Sequence, residues 1–264
     1  MLGIFFLLVW VTVIAALTSH ERNRSALLLT EHNDDELGPS LPSDDPALLI
    51  RYYHVALARN LPVREEQLLR INLACALNAV SDHRQALEEL DRVQLQQLSP
   101  TEVALWLNNR AYTLVFLGNP HDAVGHLDDA VELLLGDDGA CRDPLLSACI
   151  SGTRGIAELH RQSYQAAEAA LLSALRSEEE SVSLQFDPEW QVDPGRTAER
   201  WFWLGEVAKA EHKPTEARRR YERAAAYPHT PFGRRAKQAL GEAAVATPDP
   251  EPPPVPAAPS TSSA

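Results

Sequence analysis

The sequence predicts an all-α fold built from repeated helical hairpins, and three observations carry that reading. Alanine and leucine dominate a chain that is 45% hydrophobic and only 6% aromatic, and these two residues are the strongest helix formers. Alternating β-branched runs, which a half-buried strand needs, are nearly absent. Between about residues 64 and 228 the chain repeats one spacing of small and large apolar residues, the mark of stacked supersecondary units.

The repeats align on an alanine in the second helix of each unit: Ala86, Ala123, Ala167 and Ala217. Twelve residues earlier stands a small residue each time, Ala74, Ala111, Gly155 and Gly205. Four residues after the anchor comes a larger side chain, Leu90, Leu127, Leu171 and Tyr221, and seven after it Val93, Ala130, Ala174 and Ala224. Small residues at a helix crossing let two backbones approach, and the larger residue one turn on fills the adjacent gap. Such a pair is apolar on too many sides to stand alone, so neighbours must stack on it. The punctuation agrees: Ser99-Pro100 opens a helix, Gly118-Asn119-Pro120 separates two, and Asp193-Pro194-Gly195 closes an insertion.

This pattern resembles the tetratricopeptide repeat (TPR). The fourth unit carries it most fully, with Trp201-Phe202-Trp203-Leu204-Gly205, Ala217, Tyr221, Ala224 and Pro228. The second keeps Leu107, Ala111, Gly118, Ala123 and Ala130, whereas Arg70 and Ser151 stand at the bulky lead position of the first and third. The anchors are spaced 37, 44 and 50 residues apart. The excess over the family's usual repeat is expected in connections at Gly136–Asp143 and Ser181–Gly195. The resemblance implies a TPR-like solenoid of about four helix pairs over 46–245. Helices at about 46–60 and 231–244 are expected to cover its ends.

The two ends read differently. Leu2 to Leu17 is an uncharged apolar run of sixteen residues, close to the roughly 17–20 that a spanning helix needs. No basic residue precedes it, so an uncleaved transmembrane anchor over 1–18 is expected, with a cleaved signal peptide as the alternative. Arg22 and Arg24 follow the run, which favours a single-pass protein with its repeats on the cytoplasmic side. The cleaved form would instead be a periplasmic or secreted envelope-assembly protein. Residues 19–45 read as a flexible polar stalk, and 246–264, with seven prolines, as a disordered tail. A short N-terminal anchor followed by TPRs is similar to bacterial inner-membrane TPR assembly factors, without the C-terminal metal-binding module some of them carry.

The net charge of −13 argues against nucleic acid as a partner, since phosphate neutralisation supplies most of that affinity. Residues 1–194 carry 13 basic against 29 acidic side chains, while 195–240 carry 11 against 5. The basic run Lys213, Arg218, Arg219, Arg220, Arg223 is read as a solvated helix face. Cys75, Cys141 and Cys149 make no disulfide framework, and Cys75 is expected in the core. His121 and His126 have the wrong spacing for a shared metal on one helix face. Glu178-Glu179-Glu180 reads as a solvated helix end, no serine sits in a nucleophile elbow, and no glycine-rich phosphate loop occurs. Neither an enzyme, nor a cofactor, nor a small-molecule substrate is expected.

A groove is therefore the expected functional element. The resemblance places ligand-reaching positions on the first helix of each unit. These are Asn72 and Asn78 in the first, and Asn108, Asn109, Tyr112 and Phe116 in the second. The third contributes Thr153 and His160, and the fourth Phe202, Glu206 and Lys209. Asparagine has mediocre helix propensity, and its amide pairs with both donor and acceptor of an extended peptide. A protein or peptide partner is thus expected. Trp201 is expected in the core and Trp203 on an exposed face.

Overall fold

The computed structural model describes residues 46–183 and 193–246. The N-terminal apolar run, the stalk, most of the second insertion and the Pro-rich tail lie outside the described residues. Among the described residues there are ten α-helices and no strand. They are α1 (Pro46–Leu57), α2 (Val63–Ala79), α3 (His83–Asp91), α4 (Pro100–Phe116) and α5 (Pro120–Leu134), then α6 (Pro144–His160), α7 (Tyr164–Ser183), α8 (Pro194–Ala210), α9 (Pro214–Ala225) and α10 (Pro231–Ala246). Among the same residues no helix is long and apolar enough to cross a membrane. The chain divides between Gly118 and Asn119 into two compact units, so the two helices of the second repeat belong to different units.

Helix starts follow local chemistry. Ser99 and Glu102 form a reciprocal capping box, with the Ser99 backbone N–H donating to Glu102 Oε2 at 2.7 Å and Pro100 at the first helical position. The side chains of Asp143 and Asp193 accept from Leu146 N and Gly195 N, at 2.9 and 2.8 Å, each just before a proline that opens the next helix. Such caps satisfy orphan N–H groups at helix starts, worth about 1 kcal/mol each.

The turns inside the repeats show the strictest register. Ser81, Gly118, Gln162 and His212 all have left-handed φ, at 66°, 87°, 62° and 59°, and each stands five residues before its anchor alanine. In the first, third and fourth repeats the next residue's N–H reaches back to the preceding helix: Asp82 to Leu77 O, Ser163 to Glu158 O and Lys213 to Ala208 O. That bond is the helix-ending motif in which a left-handed residue reverses the chain. Only the second repeat uses the glycine the motif prefers. The Gly136–Asp143 insertion is a small turn closed by Gly136 N to Ala140 O and Arg142 N to Leu134 O, both 2.8 Å.

In the first unit α1 packs on α2, α2 on α3, and α4 on both α2 and α3. Ile71, Leu73, Ala74, Leu77, Ala86 and Leu90 form the core, and Trp106 Nε1 donates to Leu90 O at 2.9 Å. In the second unit each helix from α5 to α10 packs on the next; α6 also meets α8, and α8 meets α10. The anchors and their partners lie where the spacing requires. All four anchor alanines and Leu90, Leu127, Leu171 and Tyr221 are buried. A Cβ on Gly155 would come within 2.5 Å of Leu171 Cγ, and one on Gly205 within 2.4 Å of Tyr221 Cε1. Glycine at these crossings is thus a packing requirement. Each buried leucine contributes about 1.5–3 kcal/mol by leaving water.

Candidate functional site

In the first unit the end of α2, the start of α3 and the last turns of α4 bring together Asn78, His83, Tyr112, Thr113 and Phe116. Asn78 is buried and its amide is committed on both sides. Nδ2 donates to Thr113 Oγ1 at 2.9 Å, and Oδ1 lies 2.9 Å from His83 Nδ1. Thr113 Oγ1 in turn donates to Asn109 O at 2.8 Å. An amide oxygen only accepts, so this geometry places a proton on Nδ1 of His83. The ring so held stacks on Phe116, with centroids 4.8 Å apart and planes 11° from parallel. Phe116 meets Tyr112 at 4.8 Å, and all three rings are half-buried. The result is a small aromatic surface whose orientation is set by a buried amide network.

The expected groove residues divide into three groups. Asn72, Lys209 and His160 are exposed, Tyr112, Phe116 and Glu206 half-buried, and Asn78, Asn108, Asn109, Thr153 and Phe202 buried. Asn72 shares an exposed strip of α2 with Cys75 and Ala79. Cys75 was expected in the core, and the α2 arc that packs inward passes through Ala74, Ala76 and Leu77 instead. Thr153 donates to Cys149 O at 3.2 Å within its own helix. His83 and Thr113 were not among the expected groove residues. His83 sits on the second helix of its repeat, and Thr113 bears no signal beyond a β-branched residue in a helix.

In the second unit Phe202 belongs to an aromatic layer rather than to an open face. It meets Trp203 at 5.3 Å, Phe232 at 5.5 Å and Tyr221 at 5.8 Å. Trp203 is buried with it, while Trp201 is half-exposed with the Arg223 guanidinium 4.2 Å above its ring. The expected roles of the two indoles are therefore reversed, because α10 brings Phe232 over the Trp203 side of α8. Glu206 accepts from the Tyr221 hydroxyl at 2.5 Å; burial first, then this carboxylate, raises the phenol above its ordinary range.

A buried ion pair joins α6, α7 and α8. Glu178, expected on a solvated helix end, is 2% exposed, and Arg200 is 3% exposed. Arg200 Nη2 lies 3.5 Å from Glu178 Oε1, and Nη1 lies 2.8 Å from Glu199 Oε2. Gly152 makes the space, since a Cβ there would lie 2.2 Å from the Arg200 Cζ. Burial raises the Glu178 carboxyl above its ordinary value, and Arg200 and Arg196 pull it back only in part. Burial also raises the Cys149 thiol, which disfavours the reactive thiolate. Among the described residues no three His, Cys, Asp or Glu side chains are grouped to hold a metal.

Stacked helical hairpins with left-handed turns and glycine crossings define a TPR-like helical repeat protein. No protein-family model matches the chain, and no curated protein matches it. Among solved structures it is similar to Bacillus thuringiensis PlcR in complex with the peptide PapR7 and DNA. That match has 14% identity and a TM-score of 0.55, covering 76% of this chain and 69% of that one. It is also similar to BtubC (BKLC) from P. vanneervenii, at 20% identity and a TM-score of 0.47, over 76% of this chain and 75% of that one. At these identities the PlcR likeness is one of fold.

Proposed function

We propose that this chain is a membrane-tethered TPR-like scaffold that binds a protein or peptide segment and has no catalytic role. The observation that carries the binding reading is the half-exposed His83–Tyr112–Phe116 surface on the first unit, held by the buried Asn78 amide. Aromatic side chains that are rigid and only partly covered are the usual anchors of an interface. Asn72, exposed on α2 of the same unit, adds an amide able to pair with an extended backbone. The PlcR structure was solved with a peptide and DNA bound, which supports a peptide ligand on this fold. The net charge of −13 weighs against the DNA half of that comparison.

The tether rests on the apolar run Leu2–Leu17, and the cytoplasmic placement of the repeats on Arg22 and Arg24. Photo-crosslinking from position 72 in intact cells should trap a discrete partner. Tyr112→Ala and Phe116→Ala should each lower its yield at least about tenfold, as loss of an interface anchor does, while circular dichroism shows both variants folded. Unchanged yield would remove the first unit as the binding surface. Carbonate extraction with N-terminal sequencing tests the tether; a mature chain beginning near Thr18 would overturn it and leave the exported, cleaved form.

A further inference from the structure

The second unit carries a second surface of a different chemistry. Arg219 and Arg223 on α9 and Arg234, Arg235 and Lys237 on α10 are exposed. None of the five forms an ion pair among the described residues. This is unlike Arg64, Arg70, Arg110, Arg154, Arg161 and Arg200, each of which faces a carboxylate. On α9 only Arg218 spends its exposed charge locally, on Glu222 at 3.2 Å. Arg220 is buried and bonded to Glu168, Glu216 and, at 2.9 Å, the Leu204 carbonyl. It belongs to the packing.

Three of the unpaired guanidiniums are held in place without being neutralised. Arg223 lies over the Trp201 ring at 4.2 Å and Arg235 over Phe232 at 5.1 Å, while Arg234 Nη1 donates to His229 O at 2.7 Å. Trp201 is next to Phe202, which touches Phe232 at 5.5 Å. Two of the three arginines are thus fixed on rings and the third on a backbone carbonyl, all on α9, α10 or the turn between them. A guanidinium stacked on a ring keeps its N–H edge in plane and open, and that fork matches a carboxylate in two-point contact. Arginines 234 and 235 also occupy the start of α10, where the helix dipole disfavours a cation. Helix stability does not account for them.

We propose that this α9–α10 surface is a docking site for an acidic segment of a partner protein. It shares no residue with the His83–Tyr112–Phe116 surface, so either reading can fail without the other. An acidic peptide fits better than an anionic membrane. A flat negative surface would meet the remainder of a chain that carries −13 overall. A local segment avoids that repulsion beyond a Debye length of about 8 Å.

The test uses the full chain in micelles of uncharged detergent and a fluorescein-labelled alternating Glu-Ser dodecapeptide, read by anisotropy. Saturable binding is expected, weakening at least tenfold between 50 and 200 mM salt. R219Q/R234Q/R235Q should lose at least tenfold in affinity, and so should R219E alone, which breaks no contact within the fold. R51Q/R59Q/R84Q removes the same three charges from exposed positions of the first unit and should bind as wild type does. Absence of peptide binding, or equal loss in both triple variants, overturns the proposal. So does retention on 3:1 phosphatidylcholine–phosphatidylserine vesicles in excess of that on phosphatidylcholine alone, or binding of inorganic phosphate, that excess peptide fails to compete away.

Discussion

Replacing Gly205 by alanine tests the repeat packing at a single carbon. The new Cβ would lie 2.4 Å from Tyr221 Cε1 and 2.5 Å from Cδ1. The ring has nowhere to retreat, because Tyr221 is 4% exposed and its hydroxyl is bonded to Glu206 at 2.5 Å. Overpacking of this kind costs about 1–3 kcal/mol. Alanine in place of glycine inside a helix returns about 1 kcal/mol. The net expectation is a loss of about 0–2 kcal/mol, centred near 1 kcal/mol, or about fivefold in the folding equilibrium. Gly125, in α5, is the matched control, since a Cβ there meets nothing within 4 Å. Gly125→Ala should therefore stabilise by about 0.5–1 kcal/mol. Urea unfolding followed by circular dichroism reads both. The double variant G205A/Y221L should recover most of the G205A penalty relative to Y221L alone, giving a coupling of about 1 kcal/mol. If Gly205→Ala stabilises as Gly125→Ala does, the crossing is not as close as the packing requires and the argument fails.

Two further predictions concern the second unit. Gln162 adopts a left-handed φ of 62°, which costs a residue with a Cβ about 1–2 kcal/mol. Gln162→Gly should raise stability by about 0.5–1 kcal/mol after its larger unfolded-state entropy is subtracted; a lower urea midpoint would show that the side chain contributes more than the strain. The Glu178 carboxyl is raised by burial above its ordinary value of 4.5. The folded chain therefore binds this proton more tightly than the unfolded one. Its contribution to stability is fully present below the ordinary value and is lost as pH rises through the raised one. The stability of Glu178→Gln relative to wild type should accordingly improve between pH 4 and pH 7.5, and a difference that stays constant or moves in favour of wild type would contradict the burial argument.

Much of the fold was legible because its constraints are local or periodic. Ser99-Pro100 marked the start of α4, Asp193-Pro194-Gly195 the end of the insertion before α8, and small-to-large spacing marked the helix crossings. The left-handed turns were legible only at Gly118. At Ser81, Gln162 and His212 the side chain gives no sign that tertiary packing overrides backbone preference. The candidate site was harder to read. Tyr112 and Phe116 were named from the resemblance, but the ring that stacks against them comes from His83, on another helix. Phe202 and Trp203 could not be told from groove residues, since neither sequence position records that Phe232 covers them. Glu178 looked solvated because three consecutive glutamates fall on different faces of a helix, and only one of those faces meets Arg200.

The chain by itself determined helices, their order, the anchor register and the segregation of charge, because propensity and periodicity act within a few residues along the backbone. Tertiary structure alone decided which polar side chains are buried, which indole is covered and which arginines lack an acid. Those outcomes depend on the approach of side chains from helices far apart in sequence.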